Sequence, residues 1–170
     1  MFYGDYADAP ASPLFCFGHG LSYTTFAYRD LDVVAGSTRD EVVVRFTLEN
    51  AGERSAVEVA QLYVRDVVAS VARPELQLVG FARVELEPGR SRAVSFTVHP
   101  SRLAFTDAEL RRVLEPGAFA FSVGASSADL RLSEVVEIGG EIAEYPLADL
   151  RPTTVHVGEP LRPPAAAVLE

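Results

Sequence analysis

The sequence predicts an all-β sandwich of about seven strands, and three observations carry that prediction. Apolar residues recur with a period of two along one segment after another. Turns bearing Gly, Pro or Asn end each segment at strand-length intervals. Only Pro100 to Arg112 leaves room for a short helical turn. With 170 residues, 48% of them apolar, the chain can bury a core sufficient for one domain with an appendage.

The elements follow in order. Residues 1–25 are loop-like and aromatic, and "PLFCFGHGLSYTTF", Pro13 to Phe26, concentrates rings, two glycines and His19. "YRDLDVV" then reads as the first strand. In "EVVVRFTLEN", Val42, Val44, Phe46 and Leu48 share one face while Val43, Arg45, Thr47 and Glu49 share the other, the pattern of a half-buried strand. Asn50-Ala51-Gly52 supplies turn chemistry, and "VEVAQLYVRD" follows, so the pair is either a β-hairpin or a sandwich corner. "LQLVGFARVEL" ends at Glu87-Pro88-Gly89, "SRAVSFTV" alternates Val94, Phe96 and Val98, and "PGAFAFSVG" alternates Phe119, Phe121 and Val123. "ADLRLSEVVEI" completes the set. From Gly139 onward Pro146, Pro152, Pro160, Pro163 and Pro164 are spaced against regular pairing, although "TTVHV" has the composition of one edge strand.

Composition narrows the function classes. A formal net charge of −9 works against nucleic acid or an anionic membrane as partner, since both select cationic surfaces. "MFYGDYADAP" lacks a basic region followed by an apolar one, and no run approaches the ~18 apolar residues of a membrane span. The expectation is a chain without its own export address, cytoplasmic by default. Cys16 is the sole cysteine, which rules out an intrachain disulfide and a cysteine-built zinc site.

Among candidate catalytic groups, Cys16 and His19 sit three residues apart in one loop. A nucleophile needs a rigidly held base and an oxyanion site from a scaffold, so a packed loop histidine is the simpler reading. Glycoside hydrolysis needs two carboxylates flanking the bond, but among 24 acidic residues pairs occur by chance, and Glu49, Glu85 and Glu87 read as a solvated face. Phe46, Phe96, Phe119 and Phe121 follow strand alternation and belong to the core. Tyr3, Tyr6, Phe15, Phe17, Tyr23 and Tyr28 lie outside it and suit an exposed apolar patch. Because the chain has no Trp, an interface is favoured over a sugar platform.

Four segments, "PLFCFGHGLSYTTFAY", "VAQLYVRD", "RPELQLVGFARVELEPGRS" and "EPGAFAFSVGASSADLRL", resemble in order and spacing the C-terminal region of glycoside hydrolase family 3 β-glucosidases. The resemblance implies an immunoglobulin-like, fibronectin type III-like β-sandwich over residues 26–138. It also implies that residues 1–25 form a joint resembling the exit of the family's α/β sandwich domain. Residues 139–170 form a Pro-rich extension about which the family gives nothing. The family's nucleophilic aspartate and acid/base glutamate belong to domains not represented in these residues, so the resemblance assigns no catalytic residue, metal or cofactor here. Cys16 stands where the family usually has proline, which predicts a looser joint.

The expected role is that of a non-catalytic accessory domain that stabilises or assembles the catalytic domains of a family 3 glycoside hydrolase. The contact residues would be Leu14, Phe15, Phe17, His19, Leu21, Tyr23 and Phe26. In an isolated chain Phe15, Phe17, Leu21, Tyr23 and Phe26 fold back onto the sandwich or drive self-association through the N-terminal aromatic segment. The alternatives are a free-standing sandwich module that binds a protein or polysaccharide, and a small self-sufficient hydrolase.

Overall fold

A computed structural model describes residues 13–161; Tyr3, Tyr6, Pro163 and Pro164 lie outside the described residues. In chain order the strands are β1 (Phe26–Val34), β2 (Val42–Asn50), β3 (Ala56–Asp66), β4 (Gln77–Leu86), β5 (Ser91–Val98), β6 (Phe105–Thr106), β7 (Arg112–Leu114), β8 (Gly117–Ser126), β9 (Asp129–Ile138), β10 (Ala143–Glu144) and β11 (Thr154–Val157). Single 3-10 turns at Pro100–Arg102 and Leu147–Asp149 are the only helical elements among the described residues. The first of them falls in the segment where the sequence left room for one.

Two four-stranded antiparallel sheets, ordered β1-β2-β5-β11 and β4-β3-β8-β9, pack face to face. A small ribbon of β10, β7 and β6 accompanies them. The alternating residues meet between the sheets: Val42, Val44, Phe46, Leu48, Val94, Phe96 and Val98 from one, Val84, Leu86, Phe119, Phe121 and Val123 from the other, all buried. The Phe46 ring stacks with Tyr28 and Phe96 at centroid separations of 5.7 and 6.1 Å. Of the two readings of the Asn50 turn, the structure has the corner: β2 pairs with β1 and β5, whereas β3 pairs with β4 and β8.

Two departures from the sequence reading have physical causes. Tyr28, expected at an exposed patch, is buried. A register shift between Arg29 and Asp32, with Asp30 at φ 56, reverses the in-out phase of β1, so Phe26 and Tyr28 face the core alongside Val33. In β3 the alternation disappears from Ala60 to Val64, all of which are buried. Gln61, on the outward face, lies beneath the N-terminal loop, and Tyr63 donates its hydroxyl to the Gln61 amide oxygen at 2.5 Å. The proline-rich segment supplies the one edge strand its composition allowed: between Pro152 and Pro160, β11 runs antiparallel to β5 with Val155 opposite Phe96. Prolines limit that strand to its four residues at the sheet edge without abolishing it.

Candidate functional site

Residues 13–25 carry no regular structure, yet their backbone is hydrogen-bonded to the sandwich at several points. The Ser127 amide donates to the Phe17 carbonyl at 3.0 Å. Gln61 Nε2 donates to the Gly18 carbonyl at 3.1 Å and to the Ala125 carbonyl at 2.6 Å. Gly18 is at φ 75, and a Cβ there would stand 2.0 Å from Gln61 Oε1. Glycine favours both the left-handed backbone and this close approach, which a larger residue would meet by displacing the Gln61 amide or the loop. Cys16 Sγ lies 3.3 Å from Ser126 Oγ, a hydrogen bond that holds the thiol below the usual cysteine range, and the His19 amide donates to the Cys16 carbonyl at 3.1 Å. The looseness expected from the missing proline is thus offset by a side-chain tie.

The loop's far end is anchored by Asn50, which is fully buried. Its Nδ2 donates to the Arg54 and Leu86 carbonyls at 2.7 and 2.9 Å. Its Oδ1 accepts from Thr24 Oγ1 at 2.7 Å and from the Gly52 amide at 3.1 Å. Two donors and two acceptor positions are all used, the condition for an amide to be buried at little cost.

The side chains of the loop point the other way. Leu14, Phe15, Phe17, Leu21 and Tyr23 are exposed by 90, 65, 65, 93 and 92% respectively. His19 is exposed as well, its ring 5.1 Å from that of Phe15. Phe26, the seventh predicted contact residue, sits in the core at the start of β1. Of the five side chains expected to fold back onto the sandwich or self-associate, Phe26 packs into the sandwich, while Phe15, Phe17, Leu21 and Tyr23 do not.

Between the loop and β3 runs a cleft of about 650 Å³. Glu58 lies on it, buried, with its Oε1 accepting from the Tyr28 hydroxyl at 3.0 Å. Burial pushes the Glu58 carboxyl above the usual carboxylate range, opposed by the Tyr28 hydrogen bond and by Arg131. Arg131 itself is occupied: Nε and Nη2 donate to the two Asp129 oxygens at 2.5 and 2.8 Å, and Nη1 reaches the Phe26 carbonyl at 3.4 Å. Glu58, Asn50, Gln61 and Arg131 escaped the sequence reading. For Glu58 a signal was there, because period two in "VEVAQLYV" puts it on the face of Ala60, Leu62 and Val64.

Cys16 is bonded to Ser126 and His19 lies against Phe15, with no hydrogen bond between the two side chains among the described residues. No group of three His, Cys, Asp or Glu side chains suited to a metal occurs among the described residues. The arrangement is that of a backbone-pinned loop presenting apolar side chains.

Comparison with known proteins agrees with the fold and supplies the lineage. Residues 58–127 match the fibronectin type III-like domain. The thermostable β-glucosidase B of Acetivibrio thermocellus is 38% identical over 133 residues, 76% of this chain and 18% of that protein. The β-glucosidase of Listeria innocua, solved in complex with glucose, superposes with a TM-score of 0.74 at 32% identity, over 83% of this chain and 20% of that one. The family 3 glycoside hydrolase (GH3) β-glucosidase of Bifidobacterium adolescentis superposes with a TM-score of 0.68 at 34% identity, over 72% of this chain and 18% of that one. The chain carries a fibronectin type III-like domain, and its homologues are family 3 β-glucosidases. It spans no more than about a fifth of the length of these relatives. In this fibronectin type III-like domain the exposed side chains belong to the segment that leads into β1, and the sandwich supplies its anchors.

Proposed function

We propose that this fibronectin type III-like domain is a non-catalytic accessory unit that docks, through residues 13–25, against the catalytic domains of a family 3 glycoside hydrolase and stabilises their assembly. The organisation that goes with this reading is a joint over residues 1–25, a sandwich over 26–138 and an extension over 139–170. The observation that carries it is the loop itself: Leu14, Phe15, Phe17, Leu21 and Tyr23 are exposed together on a backbone that polar contacts hold in place. A contiguous apolar patch of this kind costs solubility and marks an interaction surface. Because the backbone is fixed in advance, little conformational entropy is lost on docking.

The test is a chimera in which residues 13–161 replace the matching segment of the Acetivibrio thermocellus β-glucosidase B. Phe17→Ser with Leu21→Ser is expected to lower the thermal midpoint of the chimera and to leave that of the isolated chain within about a degree, since surface substitutions change stability by under ~0.5 kcal/mol. Equal effects in the two settings would overturn the docking role. The chain alone is expected to show no turnover of an aryl β-glucoside above a mock preparation, and sustained turnover would overturn the non-catalytic reading.

A further inference from the structure

Among the described residues, the cleft beneath the loop is lined by more negative than positive charge. Two carboxylates, Glu58 and Asp129, line it with a single guanidinium, Arg131. Asp129 takes both of its charge-assisted hydrogen bonds from Arg131. Among the described residues Glu58 receives one hydrogen bond, from the neutral Tyr28 hydroxyl, and no ion pair, Arg131 acting on it only through its charge. A carboxylate on the core face of a strand, largely removed from water, destabilises the fold that contains it unless a cation meets it. Phe17 and Leu21 of the loop and Val59 and Phe81, all exposed, line the cleft together with polar groups that include His19, Thr24 and Gln61.

We propose that this cleft is a socket for a cationic side chain carried on an apolar segment of the docking partner, with Glu58 as its counter-charge. The inference rests on the docking role proposed above and names the chemistry that role would recognise. A guanidinium suits the site because its planar donors can meet the free Glu58 oxygen while its stem and flanking residues cover Phe17, Leu21 and Phe81. Charge complementarity selects this occupant. A neutral partner would leave Glu58 desolvated and unpaired, and an anionic one would add a third negative charge against one Arg131. Burial raises the pKa of the Glu58 carboxyl, and the pull of Arg131 offsets this only in part, as expected of a site that a further cation would complete.

The probe is a short capped peptide, acetyl-Leu-Arg-Phe-amide, titrated into the whole chain and followed by backbone amide shifts. Its counterpart carries citrulline, which keeps the shape and loses the charge. The arginine peptide is expected to bind at least tenfold more tightly, with shifts centred on Tyr28, Glu58 and Arg131. Glu58→Gln retains an acceptor for the Tyr28 hydroxyl, so the variant should fold, as its amide spectrum will show, and the difference between the two peptides should vanish. Equal binding of the two peptides, no saturable binding of either, or an arginine preference that survives Glu58→Gln would overturn the socket. None of these outcomes bears on the Phe17→Ser and Leu21→Ser comparison in the chimera. The socket and the docking role therefore fail separately.

Discussion

Phe121 and Phe17 are the same side chain in opposite settings. Phe121 is fully buried in β8 and opposes Val64 across the sheet, so its ring holds strands together. Phe17 is 65% exposed, and what fixes its position is its carbonyl, bound to the Ser127 amide. In the sandwich apolar side chains supply the stability and backbone pairing follows strand alternation. In the loop that division is reversed: backbone and amide contacts supply the order, and the apolar side chains are left over. Order without burial lets a segment keep its rings available to something else.

The sharpest break of the sandwich side is Phe121→Ala. Removing a fully buried ring leaves a cavity among Phe119, Val123 and their neighbours, and the expected loss is about 3–5 kcal/mol in chemical denaturation. On the loop side the corresponding substitution is Asn50→Asp. It replaces the two Nδ2 donors by an oxygen facing the Arg54 and Leu86 carbonyls at 2.7 and 2.9 Å and buries a charge among acceptors. The expected cost is about 3 kcal/mol at neutral pH, smaller at low pH where the carboxyl regains a proton. A loss below ~1 kcal/mol would mean that the knot at Thr24, Asn50 and Leu86 does not anchor the loop as described.

What was legible in the sequence follows the same division. The seven principal strands were readable, and with them the core faces of β2, β5 and β8, because burial writes a period of two into Val42, Val44, Phe46 and Leu48, into Val94, Phe96 and Val98, and into Phe119, Phe121 and Val123. Tyr28 was not, because the bulge near Asp30 shifts the phase and leaves only a broken alternation. The exposed loop side chains were readable as a group, since Leu14, Phe15, Phe17, Leu21 and Tyr23 fit no strand pattern. Their anchors were not. Asn50 reads as an ordinary turn residue, and its partners Thr24 and Leu86 stand 26 and 36 residues away. Gln61 likewise meets Gly18 across 43 residues, a proximity that no local pattern encodes. Packing leaves a periodic trace in a chain, and a polar anchor between distant segments leaves none.

The smallest effect separates the two glycines that flank His19. Gly18 is at φ 75 with Gln61 filling the space where a Cβ would go, whereas a Cβ on Gly20 would meet nothing within 4 Å. Gly18→Ala must therefore move either the Gln61 amide or the loop, and the left-handed backbone adds about 1–2 kcal/mol of its own. The loop can release this strain by detaching, which caps the global loss near that figure. The local loss should be plainer. The Ser127 amide, which donates to the Phe17 carbonyl, is expected to exchange its hydrogen roughly tenfold faster in Gly18→Ala, while strand amides of β3 and β8 keep their protection. Gly20→Ala is expected to leave both unchanged. If the two substitutions accelerate Ser127 equally, the loop is not held by the Gly18–Gln61 approach. Its exposed rings would then be mobile, and the entropy lost in ordering them would count against docking.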